Sequence, residues 1–259
     1  MRTNYWNSVR FGTRTMDIHV FCQDAGTERD RRRVKVETFG TVLSERALEI
    51  IMGHAHDDKS ISSVRSFAYD MLGPTPDRGD LLYRYEHSLR AAENAAVVAE
   101  AEGLPKDDLI IACLLHDVGY RECRDDFRRH PFFSADISKS YLEKIGYPPE
   151  ALREMVKGIA LHNLTDDLPK DMTVFQISVR DCDDIDRFDM IRTAMLLGDC
   201  VNEKTNQEII ASCSQAIDSA NWIMSLPRGT RTAQDMINEN CRKRIALLQD
   251  ILAQANKGL

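Results

Sequence analysis

Residues 109–120 have the sequence LIIACLLHDVGY, and this stretch decides the predicted fold. Almost all of positions 109–115 are apolar, which is typical of a helix that is surrounded by other helices. Gly119 follows the apolar run, and we expect it to end the helix in the left-handed conformation that many helix C-termini adopt. His116 and Asp117 would then lie at the end of a rigid core helix, where an imidazole and a carboxylate are good ligands for a divalent metal ion.

Apolar residues recur at helical spacing on both sides of this central stretch. Residues 81–102 are predicted to form a long amphipathic helix, and the central helix is predicted to begin near Lys106. Further helices are predicted at residues 45–52, 60–72, 131–145, 150–162, 174–188, 190–201, 208–226 and 232–255. The sequence therefore predicts an all-α helical bundle.

The N-terminal part of the chain has a less regular pattern. Residues 17–21 and 33–39 alternate like strands and contain β-branched side chains, so β structure is one interpretation of this lead-in. We accordingly expect an N-terminal extension over residues 1–59 and a helical metal-binding domain over residues 60–226. The last helix, within residues 227–259, would pack either on this core or on the partner subunit of a homodimer.

Composition excludes several classes of protein. The net charge of −7 argues against a general nucleic-acid-binding surface. No apolar run approaches the roughly 20 residues that a membrane-spanning helix needs, and no secretory hydrophobic region follows the first methionine. The seven cysteines include no C-x-x-C pair, which indicates reduced thiols. These features predict a cytoplasmic protein with no membrane segment.

Histidines and carboxylates on different predicted helices are the candidate metal ligands. Helix bundles build metal sites from side chains of facing helices, so wide spacing along the chain is expected. An aspartate at the C-terminus of a helix opposes the helix dipole, and a bound cation would compensate Asp117 for this placement. The acidic run at residues 181–189 offers Asp183 as the alternative to Asp181. The candidate ligands are His87, His116, Asp117, His130, His162 and Asp181.

A second His-Asp pair lies in the sequence HAHDD at residues 54–58. Residues two positions apart do not share a helix face, and this segment has no apolar frame to hold ligands. We therefore expect residues 54–58 to form a solvated loop.

The order of the candidate ligands resembles the H...HD...D pattern of the HD-domain superfamily of metal-dependent phosphohydrolases. The surrounding sequences YEHSLRAAENAAVVAEAEGL (85–104), IIACLLHDVGY (110–120) and VRDCDDIDR (179–187) are similar to those of the family, which often has a D-A-D-x-L-D form at the last position. The resemblance covers roughly residues 64–190. It selects Asp181 as the last ligand, and it places His130 and His162 where the dinuclear branch has two further histidines.

This resemblance implies a metal-dependent phosphohydrolase that cleaves a phosphoester or phosphoanhydride of a nucleotide or another small phosphorylated metabolite through a metal-activated water. One or two divalent ions are implied, with iron, manganese, magnesium and zinc as the alternatives. Asp117 would be the bridging catalytic ligand. His130 would act as a second-metal ligand, as a general acid or as a hydrogen-bond donor to phosphate, and His162 has the same three alternatives.

Phosphate substrates also require positive side chains. The connector after the His-Asp pair offers candidates for phosphate binding, although an exposed charged loop is an equally good interpretation of it. These candidates are Arg121, Arg124 and Arg128.

Two other functions are compatible with the same residues. A di-iron oxygenase is one, because a minority of HD-fold proteins use O₂. A non-catalytic helical module with a structural metal is the other. The additional motifs of the family's nucleotide triphosphohydrolases and cyclic-nucleotide phosphodiesterases are absent, and Tyr120 stands where some branches have lysine. The substrate is therefore left open.

Overall fold

The computed structural model describes residues 41–54, 59–74, 81–123, 126–164, 168–201 and 204–258. Within these residues the secondary structure is entirely helical, which confirms the predicted all-α fold. The segments predicted as strands, 17–21 and 33–39, lie outside the described residues. The helices are α1 (Glu45–Gly53), α2 (Ile61–Leu72), α3 (Leu81–Glu102), α4 (Lys106–Leu115), α5 (His130–Lys144), α6 (Pro149–Leu161), α7 (Val174–Arg187), α8 (Met190–Val201), α9 (Asn206–Ser225) and α10 (Arg231–Ala255). None of them is both long and apolar enough to cross a membrane.

Local sequence signals set the helix starts. The hydroxyl of Thr173 accepts a hydrogen bond from the Gln176 backbone N–H, and the Gln176 side chain accepts one from the Thr173 backbone N–H. This capping box satisfies donors that the first turn of a helix otherwise leaves without partners. Pro131 lies in the first turn of α5, where its missing N–H costs nothing. These signals explain why the observed helix bounds follow the predicted ones closely.

Helix α4 lies at the centre of the bundle and contacts α2, α3, α6 and α7. Leu109, Ile111 and Leu115 of this helix are completely buried. Helix α3 packs against α4, and small α3 side chains such as Ala91 and Ala95 are completely buried, which lets neighbouring helices approach closely. The apolar run at residues 109–115 is therefore a central core helix, as predicted.

Gly119 corrects the prediction of a left-handed helix end. Its φ is −82°, and α4 already ends at Leu115. Glycine is needed there for space, because a Cβ atom on it would lie 2.3 Å from the Ser134 backbone nitrogen. The Gly119 N–H also donates to the Ser134 hydroxyl at 2.9 Å. The turn after α4 is thus pressed against the first turns of α5, which fixes Asp117 relative to His130.

The C-terminal helices pack on the same core. Helix α10 lies against α9 and also contacts α3, α7 and α8. Ile237, Cys241 and Leu248 of α10 are completely buried. In this chain α10 therefore covers α7, the helix that carries the acidic run.

Candidate metal centre

Four histidines and two aspartates from five helical elements meet in the interior. All six residues are buried, with at most 6% of their surface exposed. Their potential ligand atoms form overlapping groups in which all atoms lie within 4.8 Å of one another. These six residues, called the ligand cluster below, are His87, His116, Asp117, His130, His162 and Asp183.

Helix termini orient three of the four histidines. In each case the imidazole Nδ1 contacts the backbone carbonyl three residues earlier in the chain. Nδ1 therefore carries the hydrogen, and Nε2 presents its lone pair to the centre of the cluster. The contacts are His116 to Cys113 O at 2.7 Å, His130 to Phe127 O at 2.6 Å and His162 to Ile159 O at 2.7 Å.

The fourth histidine is oriented by a carboxylate. His87 lies in the middle of α3, where the backbone offers no spare carbonyl, and its Nδ1 donates to Asp186 Oδ2 at 2.6 Å. Asp186 is in turn held by Arg90, whose Nε donates to Oδ1 at 2.6 Å. A carboxylate behind a metal-binding histidine fixes the ring and increases its basicity. Asp186 is a functional residue that the sequence did not single out.

The inward nitrogens are spaced as ligands of a shared ion would be. The Nε2 atoms of His87 and His116 are 3.2 Å apart, and those of His130 and His162 are 3.0 Å apart. Two ligand atoms about 2.1 Å from one ion and at right angles to each other lie about 3.0 Å apart. Two nitrogen lone pairs that face each other at this distance repel unless a proton or a cation lies between them. The donor set therefore fits a divalent metal ion.

Asp117 lies between the two histidine pairs. Its Oδ2 is 3.8 Å from His87 Nε2 and 3.6 Å from His116 Nε2. Its Oδ1 is 3.1 Å from His130 Nε2 and 3.7 Å from His162 Nε2. One oxygen thus faces each pair, which is the arrangement of a carboxylate that bridges two ions.

Asp183 completes the first pair. Its Oδ1 lies 3.0 Å from His87 Nε2 and 3.9 Å from His116 Nε2. The first ion position is accordingly formed by His87, His116, Asp117 and Asp183. The second position is formed by His130 and His162 together with Asp117, so it has fewer protein ligands.

The structure places Asp183, and not the predicted Asp181, in the ligand cluster. Residues two apart on a helix point about 200° away from each other, so only one of them can face the histidines. Asp181 faces the connection between α9 and α10, where it accepts from the Gly229 N–H at 2.7 Å and from Arg180 Nη2 at 2.7 Å. Arg228 joins this buried network, with Nη1 2.6 Å from Asp184 Oδ2. Asp181 therefore anchors the C-terminal helices to α7.

Charges within the cluster shift the pKa values of its members. Burial acts to raise the pKa of Asp117, but His116, His130 and Arg84 outweigh it and hold this pKa well below its usual range. Burial acts to lower the pKa of His87, but its hydrogen bonds with Asp183 and Asp186 outweigh it and raise the pKa to about 9. The carboxylates around the first ion position therefore keep a proton on His87, at a place where a cation would bind.

The second position has the opposite character. Burial, together with the charges of His116 and His130, lowers the pKa of His162 to about 3. His162 is consequently neutral near pH 7, and its Nε2 lone pair is available to a metal ion without loss of a proton.

Two arginines that the sequence did not single out lie beside the cluster carboxylates. Arg84 Nη1 is 3.4 Å from Asp117 Oδ2, and its guanidinium lies 3.9 Å from the centroid of the Tyr120 ring. Arg187 Nη1 is 3.6 Å from Asp183 Oδ2. Arg84 precedes His87 by three residues and Arg187 follows Asp183 by four, so helical spacing from the ligands was the available signal.

The arginines predicted for phosphate binding make other contacts. Arg121 donates to the Gly73 carbonyl, and Arg128 pairs with Asp126 at 2.8 Å while its side chain is 64% exposed. Neither contact is to a member of the ligand cluster, and Arg124 lies outside the described residues. Tyr120 stacks on His130, and the residue that follows it in the short 3₁₀-helix of residues 120–122 points about 120° away.

The prediction of a solvated loop at residues 54–58 is wrong for His54. His54 is only 7% exposed, and its Nδ1 lies 2.9 Å from Asp70 Oδ2. It packs edge-on against the rings of Phe67 and Tyr141. Residues 55–58 are outside the described part of the chain.

Together, these features define an all-α protein with a buried histidine–aspartate centre suited to two metal ions that share one carboxylate. Residues 84–191 match the family model of the HD domain. This part of the chain is therefore an HD domain, which confirms the family predicted from the order of His87, His116-Asp117 and Asp181.

A solved structure has the same fold. It is a predicted HD superfamily hydrolase from an uncultured Thermotogales bacterium, with a TM-score of 0.53 and 18% sequence identity over 74% of this chain and 91% of that one. No curated protein matches the sequence. At this level of identity the likeness shows the fold alone.

Proposed function

We propose that this protein is a metal-dependent phosphohydrolase that acts on a nucleotide or another small phosphorylated metabolite. The observation that carries the proposal is the position of Asp117, whose two oxygens face two separate histidine pairs. The HD-domain match and the name of the similar hydrolase support a hydrolytic reaction. Arginines beside both cluster carboxylates support a phosphorylated substrate, because guanidinium groups bind phosphate oxygens strongly.

The donor set assigns separate tasks to the residues. When bound, divalent ions at the two positions would lower the pKa of a water molecule and polarise a phosphoryl oxygen. Asp117 would contribute one oxygen to each ion position, and the four histidines would contribute neutral Nε2 ligands. Asp186 and the three backbone carbonyls keep these rings in one orientation, so the geometry exists before substrate arrives.

Side chains around the cluster would bind and orient the phosphate. Arg84 lies beside the Asp117 carboxylate and over the Tyr120 ring, so its guanidinium could donate to an oxygen of the reacting phosphate. Burial and the charge of Asp117 raise the pKa of Tyr120, so its hydroxyl keeps its proton and acts as a hydrogen-bond donor. Charge that develops on the phosphate would be stabilised by both groups.

A di-iron oxygenase is the second candidate, because the donor set of four imidazoles and two carboxylates also suits two iron ions. It differs from the first candidate in requiring iron and in consuming oxygen. A purely structural metal is disfavoured by the second ion position, where two histidines and the shared Asp117 leave coordination sites for other ligands.

Metal content and phosphate release test the proposal together. Protein purified without chelator or a nickel column should contain two equivalents of metal by elemental mass spectrometry, and it should release inorganic phosphate from phosphorylated metabolites. The Asp117→Asn variant should lose both properties. Oxygen uptake with iron, and no phosphate release with manganese, iron, magnesium or zinc, would select the oxygenase. Failure to take up any of these metals would overturn both candidates.

A further inference from the structure

A group of arginines surrounds the ring of Tyr83, which lies one helical turn before His87 on α3. The guanidinium carbons of Arg84, Arg90 and Arg192 lie 5.7, 5.9 and 4.9 Å from the ring centroid. The ring also stacks nearly parallel to the His87 imidazole, with an interplanar angle of 11°. This Tyr83 cluster, formed by Tyr83 and the three arginines, therefore borders the metal centre directly.

The positive charges of the Tyr83 cluster are only partly compensated. Arg84 pairs with Asp117 and Arg90 with Asp186, so two of the three guanidiniums have a carboxylate partner. The Arg192 backbone N–H donates to Asp189 Oδ1 at 2.9 Å, but the Arg192 guanidinium forms no ion pair with a carboxylate of the described residues. Within the described residues, a guanidinium without an ion-pair partner thus lies beside the proposed catalytic site of a protein with a net charge of −7.

A second arginine that forms no ion pair with the described residues, Arg244, lies near Arg192. Arg244 donates to the Thr193 hydroxyl at 2.8 Å and to the Arg187 carbonyl at 3.2 Å, both of which are neutral acceptors. Burial lowers the pKa of Arg244, and the charge of Arg192 lowers it further. The positive charge of Arg192 therefore acts on a second buried arginine at this side of the ligand cluster.

Such an arrangement is unfavourable without an anion. Each of the three guanidinium carbons lies within 6 Å of the same ring centroid, so the charge of Arg192 is repelled by the other two, and an aromatic ring face offsets only about 0.5–2 kcal/mol for each cation. The Arg84 and Arg90 side chains are 29% and 21% exposed, and Arg192 is half-buried, so a ligand from solvent can reach them. A doubly charged phosphate would relieve the repulsion and accept hydrogen bonds from several guanidinium N–H groups.

We propose that Arg192, held beside Arg84 and Arg90 by the Tyr83 ring, forms a second phosphate-binding subsite. The preferred substrate would then carry two phosphate groups or an oligophosphate. The reacting phosphate lies beside Asp117 and the other phosphate lies at Arg192, with Arg84 between them. This inference rests on the phosphohydrolase activity proposed above and adds the class of substrate.

The position of Arg192 in the chain fits a role in specificity. The HD-domain match ends at residue 191, and Arg192 is the next residue, in the first turn of α8. The phosphate at this subsite is bound and not cleaved: water attacks only the phosphorus beside Asp117, the P–O bond to the leaving group breaks, and the leaving group takes a proton from the water.

Binding without metal tests the subsite separately from the activity. The probe is inorganic triphosphate, and its Kd for metal-free protein is measured by isothermal titration calorimetry for wild type and for Arg192→Gln. We expect the substitution to weaken binding about tenfold, as for the loss of a charged hydrogen bond. The matched control is Arg153→Gln on the exposed surface of α6, where the Arg153 guanidinium lies 3.7 Å from Glu150. A Kd for Arg192→Gln within twofold of the control would overturn the subsite.

Steady-state kinetics then tests the substrate class. Fructose 1,6-bisphosphate is compared with fructose 6-phosphate, and adenosine 5′-triphosphate with adenosine 5′-monophosphate, in metal-loaded enzyme. Arg192→Gln should raise the KM of the substrate with more phosphates about tenfold and leave kcat and the monophosphate KM within twofold. An equal rise of both KM values would overturn the inference, because Arg192 would then bind the reacting phosphate. If no substrate releases phosphate, the proposed function fails, while the triphosphate Kd still decides the subsite.

Discussion

Asp186 accepts a hydrogen bond of 2.6 Å from His87 Nδ1 and thereby determines that Nε2 faces the ligand cluster. The other three cluster histidines obtain the same orientation from backbone carbonyls. Asp186 therefore performs for a histidine in mid-helix what a helix terminus performs for the others. Of the four orienting contacts, this one alone depends on a side chain that can be substituted.

The Asp186→Asn variant should bind manganese roughly 10- to 100-fold more weakly at the first ion position, because a neutral amide orients and polarises His87 less well. Isothermal titration calorimetry measures this change. The matched control is Asp171→Asn, which removes an exposed carboxylate that pairs only with Lys157. Equal manganese affinity in the two variants would contradict the orienting role of Asp186.

Asp183 and Asp181 should give opposite phenotypes when each is changed to asparagine. Asp183→Asn should lose metal at the first position, because its Oδ1 faces His87 and His116. Asp181→Asn should retain metal but unfold at lower urea concentration, with a loss of about 3 kcal/mol, because it leaves Arg180 and Arg228 with one buried partner fewer. Metal content by mass spectrometry and urea unfolding measure the two effects. The reverse pattern would show that Asp181 is the ligand.

Metal-free protein should lose stability as the pH rises from about 6.5 to about 9. His87 has a pKa of about 9 in the folded protein against an ordinary value of 6.5, so the folded state binds its proton more tightly. This contribution is fully present below pH 6.5 and disappears as the pH passes through the folded pKa. His116 and His162 have lowered pKa values, so their own effects occur below pH 6.5 and do not mask this window. Melting temperatures of metal-free protein across this range provide the measurement, and a Tm that does not fall between pH 6.5 and pH 9 would contradict it.

Gly119→Ala should destabilise the fold by about 1–3 kcal/mol, because its Cβ would overlap the Ser134 backbone nitrogen and displace the first turn of α5. Since His130 is in that turn, the second equivalent of metal should also be lost. The control is Gly198→Ala in α8, where a Cβ meets nothing within 4 Å and alanine should be neutral or favourable by about 1 kcal/mol. Chemical denaturation and metal analysis decide between the expected result and equal behaviour of the two variants.

Arg84→Gln should lower kcat/KM for a phosphorylated substrate about 10- to 100-fold, because the variant loses a charged donor next to Asp117. Arg128→Gln should leave kcat/KM within twofold, since Arg128 is exposed and pairs with Asp126. Phosphate-release kinetics compares the two. A loss of activity only in Arg128→Gln would show that the connector after the His-Asp pair binds the phosphate.

Helix bounds and most members of the ligand cluster could be predicted from the sequence because both leave local traces. Apolar residues at helical spacing and capping residues such as Ser44, Ser60 and Thr173 mark where helices begin. Each of the four histidines lies at the end or on the inner face of a predicted helix, and their order along the chain matched the HD pattern. The reason for Gly119 was predicted wrongly, because a close approach between α5 and the turn after α4 is not visible in either segment alone.

The choice between Asp181 and Asp183 could be made only in three dimensions. Nearly every residue of α7 from Phe175 to Asp186 is buried, since α3, α6 and α10 cover different sides of it. A helix that is buried all round carries no polar face to show which side meets the ligands, so periodicity cannot set its rotation. The same reason hid Asp186, whose partner His87 lies on α3, and Arg187, whose partner Asp183 lies on α7 itself. Arg84 was hidden because its partner Asp117 follows another helix, α4. The sequence by itself determined the helices and the set of histidines and aspartates that could bind metal. Tertiary packing decided which of these side chains meet in the ligand cluster.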